Sequence, residues 1–136
     1  MIAVDSNIWI YYLDPTTDEH EMVKTELEKV IHKEEILTST VIWMEVAHYL
    51  FKISNLPRKD LVGKIKELLR LSTLKVADFD FEMLEKSIEA LGKEYRRRIG
   101  GRDATILVMM KAFNVERIMT HDRGFKGLGV KVIDPV

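Results

Sequence analysis

Short apolar runs alternate with amphipathic stretches along the whole chain, and that alternation restricts the fold more than any other feature of the sequence. Met1 to Asp5 reads as a buried strand, and Ser6 offers a side-chain oxygen to start a helix through Leu13. Between Glu19 and Lys33, Val23, Leu27, Val30 and Ile31 recur at the spacing of an amphipathic helix. Glu35 to Ser39 predicts a second strand, and Ser39 or Thr40 caps a long apolar helix fading near Ser54. A helix from Pro57 carries Leu61, Val62, Ile65, Leu68 and Leu69 on one face, and Thr73 to Ala77 gives a third strand. Asp78 or Asp80 caps a further helix with an apolar line of Phe81, Leu84, Ile88 and Leu91, ending near Gly92. After a basic stretch come a helix from Asp103 to Phe113, a strand from Glu116 to His121 and a closing strand from Val130 to Ile133. A parallel pair of strands needs a crossover, usually a helix, so the pattern predicts an α/β fold with a parallel sheet covered on both faces.

Four carboxylates fall at special places in this pattern. Asp5 and Asp122 are expected as the last residues of buried strands, and Asp103 opens the helix leading into the second of them. Glu45 is the lone acid in the apolar run from Val41 to Phe51, about two turns into the helix after the second strand. A helix following a strand starts at the strand's carboxyl edge, and a helix preceding a strand has its N-terminus at that edge too. All four acids therefore belong at one edge, where open parallel sheets place their functional sites.

If the first and fourth strands are neighbours, their terminal aspartates stand about 5 Å apart, the inter-strand spacing. Two unit charges at that distance repel by roughly 3 kcal/mol at an effective dielectric near 20. Protonation relieves this, and so does a hard cation with oxygen ligands. Mg²⁺ or Mn²⁺ suits an all-carboxylate site. Zn²⁺ would prefer nitrogen or sulfur ligands, and the chain has no cysteine and four histidines without metalloprotease spacing. Each acid alone has an ordinary reading: Asp103 as a helix N-cap, Asp122 as a turn residue, Asp5 as a cap for the next helix. Their joint placement carries the weight.

At 136 residues the chain has the usual size of one domain, and its 46% apolar and 32% charged composition is that of a globular protein. The expectation is a single domain over residues 1–136. No apolar stretch reaches the roughly 18 to 20 residues of a membrane span, and no basic segment precedes the first apolar run, so a cytoplasmic location is expected. A net charge of −1 excludes coating of nucleic acid by bulk charge and leaves only a local basic patch. Arg96, Arg97, Arg98 and Arg102 before the Asp103 helix, with Arg123 after Asp122, are the candidate phosphate contacts.

These residues resemble the PIN-domain ribonuclease family, most closely the VapC-type toxins of prokaryotic toxin–antitoxin pairs. The resemblance rests on Val4-Asp5-Ser6-Asn7-Ile8, on Ser39-Thr40-Val41 leading to Glu45, on Gly101-Arg102-Asp103-Ala104, and on Thr120-His121-Asp122-Arg123-Gly124-Phe125. It implies a three-layer αβα fold with about five parallel strands, Mg²⁺- or Mn²⁺-dependent endoribonuclease activity, a homodimer, and a small antitoxin that blocks the site. Asp5, Glu45, Asp103 and Asp122 match the family's acids as catalytic residues and metal ligands, and Asn7 and Thr120 match its supporting polar positions. Members often carry another acid two residues past the last one, where this chain has Gly124, which puts a second metal site in doubt.

Other readings fit less well. A receiver domain needs a lysine after its last strand, where this chain has Ile133-Asp134-Pro135, and a haloacid-type phosphatase needs Asp-x-Asp where it has Asp5-Ser6-Asn7. A housekeeping RNA-processing nuclease and a non-catalytic RNA-binding or scaffold domain stay open beside the toxin.

Overall fold

The structure is a computed structural model that describes residues 1–93 and 99–136. Its elements in chain order are β1 (Ile2–Val4), α1 (Ser6–Leu13), α2 (His20–Ile31), β2 (Ile36–Ser39), α3 (Thr40–Ile53), α4 (Arg58–Leu69), β3 (Leu74–Ala77), α5 (Phe81–Lys93), α6 (Gly101–Ala112), β4 (Arg117–Met119) and β5 (Lys131–Ile133). A single turn of 3₁₀ helix, Arg123–Phe125, joins the last two strands.

All pairings in the five-stranded sheet are parallel, in the order β3-β2-β1-β4-β5. From β1 the chain moves outward through β2 to β3, then crosses back to place β4 on the other side of β1. Right-handed crossovers therefore set α1 to α4 on one face and α5 and α6 on the other. The contacts agree, since α1 packs on α2 and α3, α3 on α4, and α5 on α6. This is the three-layer arrangement expected from the alternation, with β1 and β4 as neighbours. Among the described residues no helix is long and apolar enough to cross a membrane.

The strands are short, and the two central ones nearest the start of the chain are buried along their whole length. β1 and β2 bury every residue, as central strands covered on both sides must. Trp9 of α1 and Trp43 of α3, both buried, meet with ring centroids 4.9 Å apart and tie the first two crossovers together. Phe125, fully buried, pins the 3₁₀ turn to the core.

Several expected details shift. The α4 face is narrower than its apolar line, because Leu61 and Ile65 are buried whereas Val62 and Leu69 are exposed. In α5 the line inverts: Met83 and Ser87 face the core, while Phe81 at 73% and Ile88 at 62% exposure point outward with Leu84. Periodicity locates an apolar stripe but not what covers it. The α1 cap is Asp5, not Ser6, which sits inside the first turn. Strand β4 stops at Met119, three residues short of Asp122.

Trp9→Ala should lower unfolding free energy by about 3–5 kcal/mol in a urea titration, the range for emptying a packed aromatic site. A loss below about 1 kcal/mol would mean that the two indoles do not join the crossovers.

Candidate active site

The carboxyl edge of the sheet is built on one buried carboxylate. Leaving β1, the chain turns directly into α1, whose first N–H groups have no partner within the helix. Asp5 Oδ1 accepts from Ser6 N at 2.7 Å and meets that need. The second oxygen looks across the sheet. Register pairs Val4 with Met119, so Asp5 lies beside Thr120, whose hydroxyl donates to Asp5 Oδ2 at 2.8 Å. Asn7 Nδ2 donates to Asp5 Oδ2 at 3.3 Å and to Thr120 Oγ1 at 3.2 Å, and Asn7 Oδ1 accepts from His121 N at 3.3 Å. Thr120 Oγ1 also accepts from Asp122 N at 3.0 Å. The threonine hydroxyl thus spends its one proton and both lone pairs, and the Asn7 amide spends both protons.

Glu45 reaches this junction from the second turn of α3, a helix capped by Ser39, whose hydroxyl accepts from Ile42 N at 3.2 Å. The Ser6 hydroxyl has one proton and stands between two acids, 3.2 Å from Glu45 Oε1 and 3.3 Å from Asp5 Oδ1. Sequence reasoning cast Ser6 only as a cap. Its link between two distant acids becomes visible once α1 and α3 pack together.

Asp103 lies in the first turn of α6, with Oδ2 accepting from Gly100 N at 3.4 Å. It is the helix's third residue, not its N-cap; that place belongs to Gly100. Its Oδ1 is buried and, among the described residues, has no hydrogen-bond partner. Asp122 caps the 3₁₀ turn, Oδ1 accepting from Gly124 N at 2.8 Å. A Cβ at Gly124 would stand 3.1 Å from Asp122 Oδ1, tight enough to press on that acid, and in ordinary contact with Asp103 Oδ2 at 3.8 Å.

Arg102 joins the set in an unexpected way. Its guanidinium hydrogen-bonds Glu45 Oε1 through Nη1, while Nη2 stands 3.8 Å from Asp103 Oδ1 and 3.6 Å from Asp122 Oδ2. Arg123 is exposed at the start of the 3₁₀ turn. Arg96, Arg97 and Arg98 lie outside the described residues.

Burial lifts the Asp5 carboxyl above the ordinary aspartate range, against the lowering pull of the Thr120 and Ser6 hydrogen bonds and of Arg102. Asp103 is raised for the same first reason, with Asp122 and Glu45 adding repulsion while Gly100 N–H and Arg102 oppose it. Burial works against the Arg102 charge, but the Glu45 hydrogen bond and the charges of Glu45, Asp5 and Asp103 together hold its pKa above the usual value.

The donor set is all oxygen, which suits a hard divalent cation, and Asp103 Oδ1 keeps its acceptor capacity unused among the described residues. As the side chains stand, no three His, Cys, Asp or Glu residues among those described close into a ligand cluster. The carboxylates are arranged around a guanidinium.

Raised carboxyl pKa values tie stability to pH. A carboxyl that holds its proton more tightly in the folded chain stabilises the fold below the unfolded pKa, near 3.8, and loses that contribution as pH climbs through the folded pKa. With EDTA present, the stability of Asp5→Asn relative to the parent chain should therefore rise as pH increases above 4. Urea titrations at a series of pH values would show it, and a difference independent of pH would contradict the shift.

The PIN domain family model matches residues 2–131. No curated protein sequence matches the chain at a significant level. The fold is similar to that of a sarcin–ricin-loop-cleaving VapC toxin from Mycobacterium tuberculosis, with a TM-score of 0.83, 17% identity and 96% of each chain covered. It is also similar to a VapBC complex from Rickettsia felis bound to promoter DNA, with a TM-score of 0.74, 20% identity and 98% of each chain covered. A DNA-bound VapBC from Salmonella typhimurium gives a TM-score of 0.72 at 16% identity, covering 99% of this chain and 98% of that one. With nearly its whole length matched by the family model, and with acids, topology and edge arranged as described, the chain belongs to the PIN-domain family.

Proposed function

We infer that this chain is a divalent-metal-dependent endoribonuclease and the toxin of a VapBC-type pair. The observation that carries this reading is the meeting of Asp103, Asp122 and Glu45 around Arg102, with Glu45 joined through Ser6 to the buried Asp5. Asp5, Glu45, Asp103 and Asp122 would hold Mg²⁺ or Mn²⁺. When bound, such a cation supplies Lewis-acid activation of water and charge neutralisation at phosphorus.

The chain's own contribution is position. Thr120 and Asn7 fix the Asp5 carboxylate by three hydrogen bonds to one oxygen and to each other, leaving little rotational freedom. Asp122 is held by its Gly124 bond. Glu45 is the more adjustable acid, with a side chain 31% exposed and a longer arm. Arg123, exposed beside Asp122, would pair with a phosphate of the RNA strand next to the bond being cut.

A small antitoxin as partner is supported by the similar solved structures, which include VapBC complexes. The outward line of Phe81, Leu84 and Ile88 on α5 supports a homodimer, since an apolar stripe left in water is costly unless a second copy covers it. RNA in the cytoplasm would be the substrate.

RNA incubated with the purified chain and Mn²⁺ should be cut, and EDTA should stop it. Asp103→Asn should abolish cleavage, while Thr120→Val should lower it roughly 10–100-fold by freeing Asp5, the usual cost of losing an outer hydrogen bond to a metal ligand. RNA left intact under all metal conditions would leave a binding or scaffold role instead. Expression without a partner protein should arrest growth, and normal growth with active enzyme would favour a housekeeping nuclease.

Sedimentation should show a dimer that the double variant Phe81→Glu, Ile88→Lys converts to a monomer. A parent chain that sediments as a monomer at micromolar concentration would remove the dimer from the proposal.

A further inference from the structure

Arg102 is used in an odd way for a residue that would contact substrate. A guanidinium meant only for phosphate would project from the rim into solvent, whereas this one points inward among the acids, its side chain 40% exposed. It hydrogen-bonds Glu45 and lies within 4 Å of Asp103 and Asp122. Only the Glu45 contact is a hydrogen bond; the separations of 3.8 Å and 3.6 Å are too long for one. The guanidinium therefore balances charge at two of its three neighbours without locking to them. The buried Asp103 Oδ1 faces that positive charge with no hydrogen bond of its own among the described residues.

Two consequences follow from size and charge. A guanidinium is broad and carries one positive charge, so it keeps the three carboxylates apart, which agrees with the lack of any closed ligand cluster among the described residues. A divalent cation is compact, carries twice the charge and draws its oxygens to about 2.0–2.1 Å in the case of Mg²⁺. Both cannot share the space between the same oxygens. The arginine must leave before the acids can close.

We propose that Arg102 is an intramolecular counter-ion that holds the metal-free site together, competes with the divalent cation for Glu45, Asp103 and Asp122, and swings to the rim when the cation enters. Resting on the nuclease reading above, this gives the residue two successive partners: carboxylates without metal, phosphate with it. Metal affinity is then lower than four acids alone would set, and metal loading frees the basic group that the RNA backbone needs.

The test uses Mn²⁺ alone, without RNA. Calorimetric titration of the EDTA-stripped, dialysed chain should show that Arg102→Gln binds Mn²⁺ at least about tenfold more tightly than the parent, while its metal-free form melts at a lower temperature. Arg102→Lys, keeping the charge, should stay closer to the parent in both. Equal or weaker Mn²⁺ binding by Arg102→Gln overturns the proposal, as does absence of binding in all three chains. A measurement on the unaltered chain guards against a variant that fails to fold: during a Mg²⁺ titration the NMR signals of the Arg102 guanidinium should move as its bond to Glu45 breaks. Signals that stay in place while Mg²⁺ binds overturn the proposal. The two readings separate cleanly, because tighter Mn²⁺ binding by the variant with no RNA cleavage by the parent keeps the counter-ion and removes the nuclease. Metal-dependent cleavage with unchanged affinity in the variant does the reverse.

Discussion

Pairing β1 with β4 places Asp5 beside Thr120, and the rest of the acidic edge is organised around keeping that carboxylate buried. An ionised group out of water needs its lone pairs occupied, or it takes up a proton instead. Asp5 has a backbone N–H on one oxygen and a hydroxyl and an amide on the other, from residues as far apart in sequence as Ser6 and Thr120. The same Thr120 oxygen then accepts from Asp122 N, so the next acid is placed by the bond that satisfies the first. Breaking the β1–β4 register by one residue would turn Thr120 to the other side of the sheet and undo both.

Charge sets the second level of organisation. Burial and mutual repulsion raise the Asp5 and Asp103 pKa values, and Arg102 partly offsets this from within the cluster. The fold therefore tolerates its acids by two devices of different permanence. Hydrogen bonds from Thr120, Asn7 and Ser6 are built into packed elements and change little while the fold stands. The arginine hangs on a flexible chain at the start of α6 and can be exchanged for another cation. The first device fixes geometry, and the second leaves the charge at the site exchangeable.

The sequence shows the strand–helix alternation plainly, because central parallel strands are buried on both faces and Ile2–Val4 and Ile36–Leu37 read as short apolar runs. Placing the acids at the carboxyl edge follows from topology alone, without any side-chain detail. What the sequence hides is whatever depends on packing between distant elements. Ser6 looks like a cap until α1 meets α3, and Arg102 looks like a phosphate contact until α6 meets Glu45. The α5 stripe is legible as apolar, yet its direction is not: α5 packs on α6 with Met83 and Ser87 buried and Phe81 and Ile88 exposed. The run from Arg117 to His121 puts Asp122 at a strand end by sequence, but the last backbone bond to β5 is from Thr120 N to Ile133 O, and Asp122 beyond it caps a turn.

Gly124 carries the last step. Family members often have an acid at this position, and a side chain here would crowd Asp122, which also lies 3.6 Å from the Arg102 guanidinium. The backbone N–H of Gly124 bonds Asp122 Oδ1 and fixes its direction with no added negative charge. Arg102 then has three carboxylates within 4 Å and no further acid at residue 124. The glycine and the arginine are thus two parts of one charge balance: with no acid at residue 124, a single guanidinium offsets the three carboxylates around it.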